Sequence, residues 1–198
     1  MFLEDPPHSA EVESEYAADR EEDGYVNNAT RLWAWRPGFF DAFLAVRAEL
    51  MDSSALTDRD WAILVTAAVS QWNDSYCALA WGPRLAKLSD VETAAQVLSG
   101  SPAPALSDRE ASLAEWARKV VRDPNSTTRG DVERLREVGL GDREIFEATA
   151  FIAFRLAHAT VNDALGAAPD KQLADAAPEP IRRAVTYGRA PSEEPSSP

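Results

Sequence analysis

Residues Trp61-Ala-Ile-Leu-Val-Thr-Ala-Ala-Val-Ser-Gln-Trp72 are apolar on almost every side of a helical wheel. A surface helix shows one apolar stripe, whereas a helix that is apolar all round has to be enclosed by other helices or by a subunit interface. The segment is therefore expected to be a central helix, with walls supplied by the rest of the chain. Between about residues 11 and 187 the remaining pattern provides them. It consists of stretches rich in Ala, Leu, Glu and Arg, broken at Pro or Gly, without β-branched alternation of strand length. The fold class expected is all-α, built as a helical, oligomeric domain.

A chain of 198 residues with 45% hydrophobic content is long enough to bury one real core. Three segments are expected: a partly helical acidic arm over 1–24, a helical domain over 25–187, and a disordered Pro, Ser and Glu tail over 188–198. Nine acids against Arg20 give residues 1–24 a charge of −8, leaving −5 of the formal −13 for everything else. That balance argues against nucleic acid and anionic membranes as partners, because phosphate capture needs clustered Lys and Arg. No run of about eighteen apolar residues occurs, and Met1 to His8 lacks the basic flank of a secretory signal. These features lead to the expectation of a soluble cytoplasmic protein.

One motif recurs three times, as Leu56-Thr-Asp-Arg-Asp60, Leu106-Ser-Asp-Arg-Glu110 and Leu140-Gly-Asp-Arg-Glu144. Thr or Ser followed three residues later by an acid is the capping-box spacing, so each copy is expected to start a helix. Asn73-Asp-Ser75 interrupts the central helix with turn and cap residues, and helical spacing resumes from Tyr76 to Leu88. Further helices are expected at about 90–99, 107–122, 128–138, 142–165 and 178–186. Upstream, Asp23 to Asn28 should form a turn. Trp33, Trp35, Phe39, Phe40 and Phe43 can either pack between helices or wall a ligand cavity.

Cys77 is the single cysteine, so neither an intrachain disulfide nor a cysteine-rich zinc site can form. His8 lies in the arm and His158 far along another helix, so no metal site is expected. No phosphate loop or Ser-centred elbow appears either, and no cofactor is expected. Cys77 falls in the first turn of a new helix, where the positive helix end should lower its thiol pKa. His158 stands at near-helical spacing with Arg155, Asn162 and Asp163, and from the residues alone it reads as a solvated or core-satisfied histidine.

The segment Arg59 to Ala86 resembles the core of the carboxymuconolactone decarboxylase and AhpD-like alkylhydroperoxidase superfamily. The likeness extends to Gly24-Tyr-Val-Asn-Asn28 and Pro37 upstream, and downstream to Asp131–Ile145 and Phe154–Gly166, so it covers about residues 15 to 170. The resemblance implies an all-helical subunit that forms a homo-oligomer, most often a dimer, trimer or hexamer. The family's peroxidase branch carries Glu-x11-Cys-x2-Cys-x3-His. Aligning its second Cys with Cys77 puts its His at Trp81, its first Cys at Asp74 or Ser75, and its Glu at Ala62 or Ile63, with Asp60 the nearest carboxylate. One of four chemical positions remains, which excludes the two-cysteine mechanism within one chain. Trp81 also departs from the decarboxylase branch, which keeps a His there.

The candidate catalytic residues are Cys77, Tyr76, Asp74, Ser75 and Asp60, and the candidate substrate-binding residues are Trp81, Trp72, Arg84 and His158. The expected ligand is a small apolar molecule or an organic hydroperoxide. The function class expected is a peroxidase-like thiol protein with one cysteine in place of the usual pair. Two alternatives stay open: a diverged cofactor-independent enzyme acting on an apolar metabolite by decarboxylation, isomerisation or cyclisation, and a catalytically silent small-molecule-binding or scaffold protein.

Overall fold

A computed structural model describes residues 1–196, and all regular structure among them is helical. Eleven α-helices follow in chain order: α1 (Ala10–Glu22), α2 (Asn28–Trp33), α3 (Phe39–Met51), α4 (Asp58–Trp72), α5 (Ser75–Leu88), α6 (Val91–Ser99), α7 (Asp108–Arg122), α8 (Arg129–Glu137), α9 (Asp142–Ala164), α10 (Lys171–Ala176) and α11 (Glu179–Ala184). A short 3-10 turn, Pro124–Ser126, joins α7 to α8. No helix among the described residues is long and apolar enough to cross a membrane.

The central helix lies where its all-round apolarity requires. Every residue of α4 from Asp60 to Val69 is buried, enclosed by α5, α6, α7 and α9. Trp61 meets Phe151 of α9 with ring centroids 4.7 Å apart, and Leu113, Leu85, Leu98 and Ile181 complete the surrounding core. Close packing sets one glycine: a Cβ on Gly82 of α5 would come within 2.8 Å of Ile181 and 2.9 Å of Leu98. The α5–α6–α11 contact therefore depends on its absence.

The repeated motif acts as read for two of its copies. Thr57 with Asp60 and Ser107 with Glu110 form complete capping boxes. In the third copy Glu144 accepts from the Gly141 N–H at 2.7 Å, half of the same device. Thr128 and Asp131 close a further box at the start of α8.

Between α4 and α5 the chain turns sharply. Asn73 ends α4 in the left-handed region (φ 64°), which Asn tolerates better than most residues. The Asp74 N–H donates to Val69 O at 2.9 Å, and the Asp74 side chain accepts from the Cys77 N–H at 2.9 Å. Cys77 is thereby fixed as the third residue of α5.

Both chain ends lie against this frame. In α1 only Val12 is buried, and the helix is tethered by Asp19 to the Asn27 N–H and by Glu15 to the Gly38 N–H, each at 2.8 Å. The tail expected to be disordered carries no helix, but over 188–196 it is pinned to the body. Ser75 Oγ donates to Arg189 O (2.7 Å), the Ser192 N–H to Pro169 O (2.9 Å), and Ser196 exchanges bonds with Gln172. The final two positions of that expectation, 197–198, lie outside the described residues. Gly188 (φ 72°) passes over the α4–α5 turn so closely that a Cβ there would meet Asn73 O at 2.6 Å.

Candidate active site

The first turn of α5 and the middle of α9 meet α2 and α3 around one sulfur. Cys77 is 2% exposed and lines a cleft of about 620 Å³. Arg155 of α9 donates from Nη2 to Cys77 Sγ at 3.1 Å, and His158 Nδ1 stands 3.7 Å from the same atom. His158 brings an imidazole to the sulfur from another helix, whereas the motif position four residues after Cys77 holds Trp81. Trp81 forms part of the cleft wall, with the guanidinium of Arg84 4.9 Å and that of Arg155 5.6 Å from its ring centroid.

The imidazole is clamped by aromatic rings and oriented by an amide. Trp33 stacks on it (5.4 Å between centroids, 11° between planes), and Phe40 and Phe43 lie 5.5 and 6.1 Å away. The Trp33 indole N–H can only donate, and it gives its hydrogen to Asn162 Oδ1 at 2.9 Å. The Asn162 amide nitrogen then faces His158 Nδ1 at 3.4 Å. Nδ1 is consequently the acceptor nitrogen, its lone pair shared between the Asn162 amide at 3.4 Å and the thiol at 3.7 Å, with its hydrogen on Nε2.

Burial decides the protonation states. Desolvation, reinforced by Arg155 and Arg47, lowers the His158 pKa to about 3, so the ring is neutral around pH 7. Burial, followed by the nearby Asp74, pushes the Cys77 thiol well above its ordinary value, with Arg155 acting against them. This corrects the expectation of a lowered thiol pKa. The Cys77 amide at the helix start already donates to the Asp74 carboxylate, so a negative group offsets the positive helix end where it would have acted. Asp74 is itself raised by desolvation, and its Oδ2 is buried without a partner. The resting site is a neutral thiol beside a neutral imidazole and a guanidinium. It can pass a proton over one short step while Arg155 steadies charge on sulfur.

The structure gathers Cys77, Asp74, Trp81, Arg84 and His158 and assigns other work to the remaining candidates. Tyr76 touches the cleft, but its hydroxyl donates to Asp170 Oδ2 (2.5 Å) and accepts from the Ala29 N–H (3.3 Å). Burial and Asp170 hold that phenol well above its ordinary pKa. Ser75 is committed to Arg189 O. Asp60 sits at the opposite end of α4, occupied in the Thr57 capping box and paired with Arg109 at 3.6 Å. Trp72 is 39% exposed and lies beside Asp163, outside the cleft lining. Arg47 of α3 also reaches the cleft, and its only local signal in the sequence is that it is a lone cation in the apolar-rich run Phe39–Leu50.

No protein-family model matches the chain, and no curated protein matches it. Solved structures do match. The alkylhydroperoxidase AhpD core of an uncharacterised peroxidase-related protein from Ralstonia eutropha JMP134 superposes with a TM-score of 0.75 at 24% identity, covering 87% of this chain and 93% of that one. A peroxidase-related protein from Silicibacter sp. TM1040 gives 0.74 at 23% identity with the same coverage. The debrominase Bmp8 in complex with 2,3,4-tribromopyrrole gives 0.69 at 11% identity over 86% of this chain and 93% of that one. The chain has the AhpD-like helical fold.

Proposed function

Starting from the AhpD-like fold, we propose that this protein is a single-cysteine thiol enzyme that reduces small organic hydroperoxides in the Cys77 cleft. The observation that carries the reading is the convergence of Arg155 Nη2 and His158 Nδ1 on one sulfur, at 3.1 and 3.7 Å. The thiol passes its proton to His158 Nδ1 as the sulfur attacks the terminal peroxide oxygen. The O–O bond breaks, the alkoxide takes that proton and leaves as the alcohol, and Cys77 becomes a sulfenic acid. Arg155 stabilises charge developing on the sulfur and the leaving oxygen. With no second cysteine in the chain, an external small thiol condenses with the sulfenic acid and releases water. A second thiol then frees Cys77 as the thiol and leaves as a disulfide. Two proteins that share the fold are described as peroxidase-related, in agreement with this reading.

Brief exposure to cumene hydroperoxide, a sulfenic-acid trap and intact mass provide the test. One label is expected, absent from Cys77→Ser, with turnover only when thiol is added. A folded protein whose Cys77 stays unlabelled contradicts the reading.

One observation favours a second reading, an enzyme acting on an aromatic or apolar metabolite without thiol redox chemistry: the thiol rests in its neutral form, held there by burial. An unreactive Cys77 together with ligand-induced changes in Trp fluorescence would support it. Association of copies of the chain is part of the main reading, through the exposed apolar side chains Phe39, Val46 and Phe146. Sedimentation velocity tests this, with a single monomeric species as the contrary result.

A further inference from the structure

Carboxylates are plentiful in this chain, with 33 acids to 20 Lys and Arg. Elsewhere in the fold the cations find them: Arg59 pairs with Glu110, Lys119 with Asp131 and Arg143 with Glu147. Around Cys77 the pattern reverses. Arg47, Arg84 and Arg155 all line the cleft, and among the described residues none of the three has a carboxylate within 4.0 Å. Arg155 is 4% exposed, and its Nε is buried without any hydrogen-bond partner. A buried guanidinium with an unused donor costs free energy unless something else supplies the acceptor.

We propose that the cleft binds a small organic carboxylate, its head held by Arg47 and Arg155 and its apolar body lying against Trp81, Phe40 and Leu44. A guanidinium fork matches a planar carboxylate with two parallel hydrogen bonds, and the aromatic wall accounts for an apolar body. The charges acting on Arg47 agree with this. Burial comes first and then Arg155 and Arg84, all lowering its pKa, with only Cys77 opposing them. Asp19, Glu22 and Asp23 lie on the α1 rim of the same cleft, so an incoming anion is repelled at that edge and drawn toward the arginines. The inference rests on reading the cleft as the substrate site, and it narrows the substrate to one with a negative head.

Isothermal titration of the full chain with 4-phenylbutyrate and with its neutral amide tests the proposal without requiring any reaction. The acid is expected to bind about tenfold more tightly or better, the equivalent of one charge-assisted hydrogen bond. Arg47→Gln should reduce the preference severalfold by weakening the acid more than the amide, while Arg47→Lys should keep more of it, which separates lost charge from lost folding. Equal affinity for acid and amide, binding of neither, or an unaltered preference in Arg47→Gln overturns the proposal. Inorganic phosphate displacing the acid at similar concentration overturns the carboxylate assignment. Cys77→Ser should retain the preference, so an unreactive thiol sinks the peroxide chemistry alone and equal binding sinks this inference alone.

Discussion

Asp60 and Asp74 are both buried aspartates in the starts of consecutive helices, 4% and 0% exposed, yet they do different things. Asp60 Oδ2 takes hydrogen bonds from the Thr57 N–H and hydroxyl, both at 2.9 Å, and pairs with Arg109. Asp74 spends Oδ1 on the Cys77 N–H and leaves Oδ2 buried and unpartnered. A carboxylate with its partners in place fastens a helix. A half-satisfied one beside a thiol sets the charge of a reaction site at a cost in stability. The contrast separates the structural end of α4 from the chemical end, although both ends look alike as local sequence.

The comparison can be broken at either end. Asp60→Ala removes a cap and leaves Arg109 without its partner, so a loss of about 3 kcal/mol is expected in urea unfolding, with Cys77 alkylation of the folded protein unchanged. A change in Cys77 reactivity would show that the two ends are coupled.

The pH dependence gives the next effect. The folded-state pKa of His158, about 3, lies below the ordinary histidine value of about 6.5, so between those values the unfolded chain binds the extra proton and stability falls as pH falls. A loss of about 2 kcal/mol between pH 6.5 and 5 is expected, and His158→Gln should flatten that limb. Asp163, raised to about 6 by burial and Asp74, acts with the opposite sign. The folded state holds its proton more tightly, so it gains stability as pH falls through 6 toward the ordinary Asp range, and Asp163→Asn should deepen the acid loss.

Asp74→Asn keeps a capping side chain but removes the negative group near the sulfur. Alkylation of Cys77 at pH 8 should accelerate about tenfold, one pKa unit, with stability changed by less than about 1 kcal/mol. A slower reaction would show that Asp74 assists the thiol and does not restrain it. The smallest effect is expected from Ser75→Ala, which loses the bond to Arg189 O and about 1 kcal/mol. Faster amide exchange in the first turn of α5 and in residues 188–192 should accompany it.

How much of this was legible follows from where each signal resides. The helices expected near 90–99, 107–122, 128–138 and 142–165 run as Val91–Ser99, Asp108–Arg122, Arg129–Glu137 and Asp142–Ala164, because caps and the central apolar run are local features. The bounds of α3 are not marked by the sequence, although it lies inside the stretch whose pattern is helical. It is rich in apolar residues yet buries none of them, so its pattern does not display one clean inward stripe. Cys77 and its Asp74 cap were readable because they share one turn. Only the resemblance points His158 to a cavity, and its place beside the sulfur depends on how α9 packs near the start of α5, which no local pattern encodes. Motif spacing points to Asp60 as the nearest carboxylate, but the capping-box chemistry that occupies it is equally visible in Thr57. The tail at 188–196 reads as disordered from composition, but its hold on the body comes from Ser75, Asn28 and Gln172, far away in sequence.

The claim that His158, supplied by α9, serves the Cys77 thiol is tested most directly by the rate of Cys77 oxidation with cumene hydroperoxide, followed by intact mass in the native protein and in His158→Gln. Loss of a positioned proton acceptor should slow the reaction about a hundredfold or more at pH 7, with the difference shrinking as pH rises and the thiol ionises unaided. Equal rates in the two proteins across that range would contradict the account.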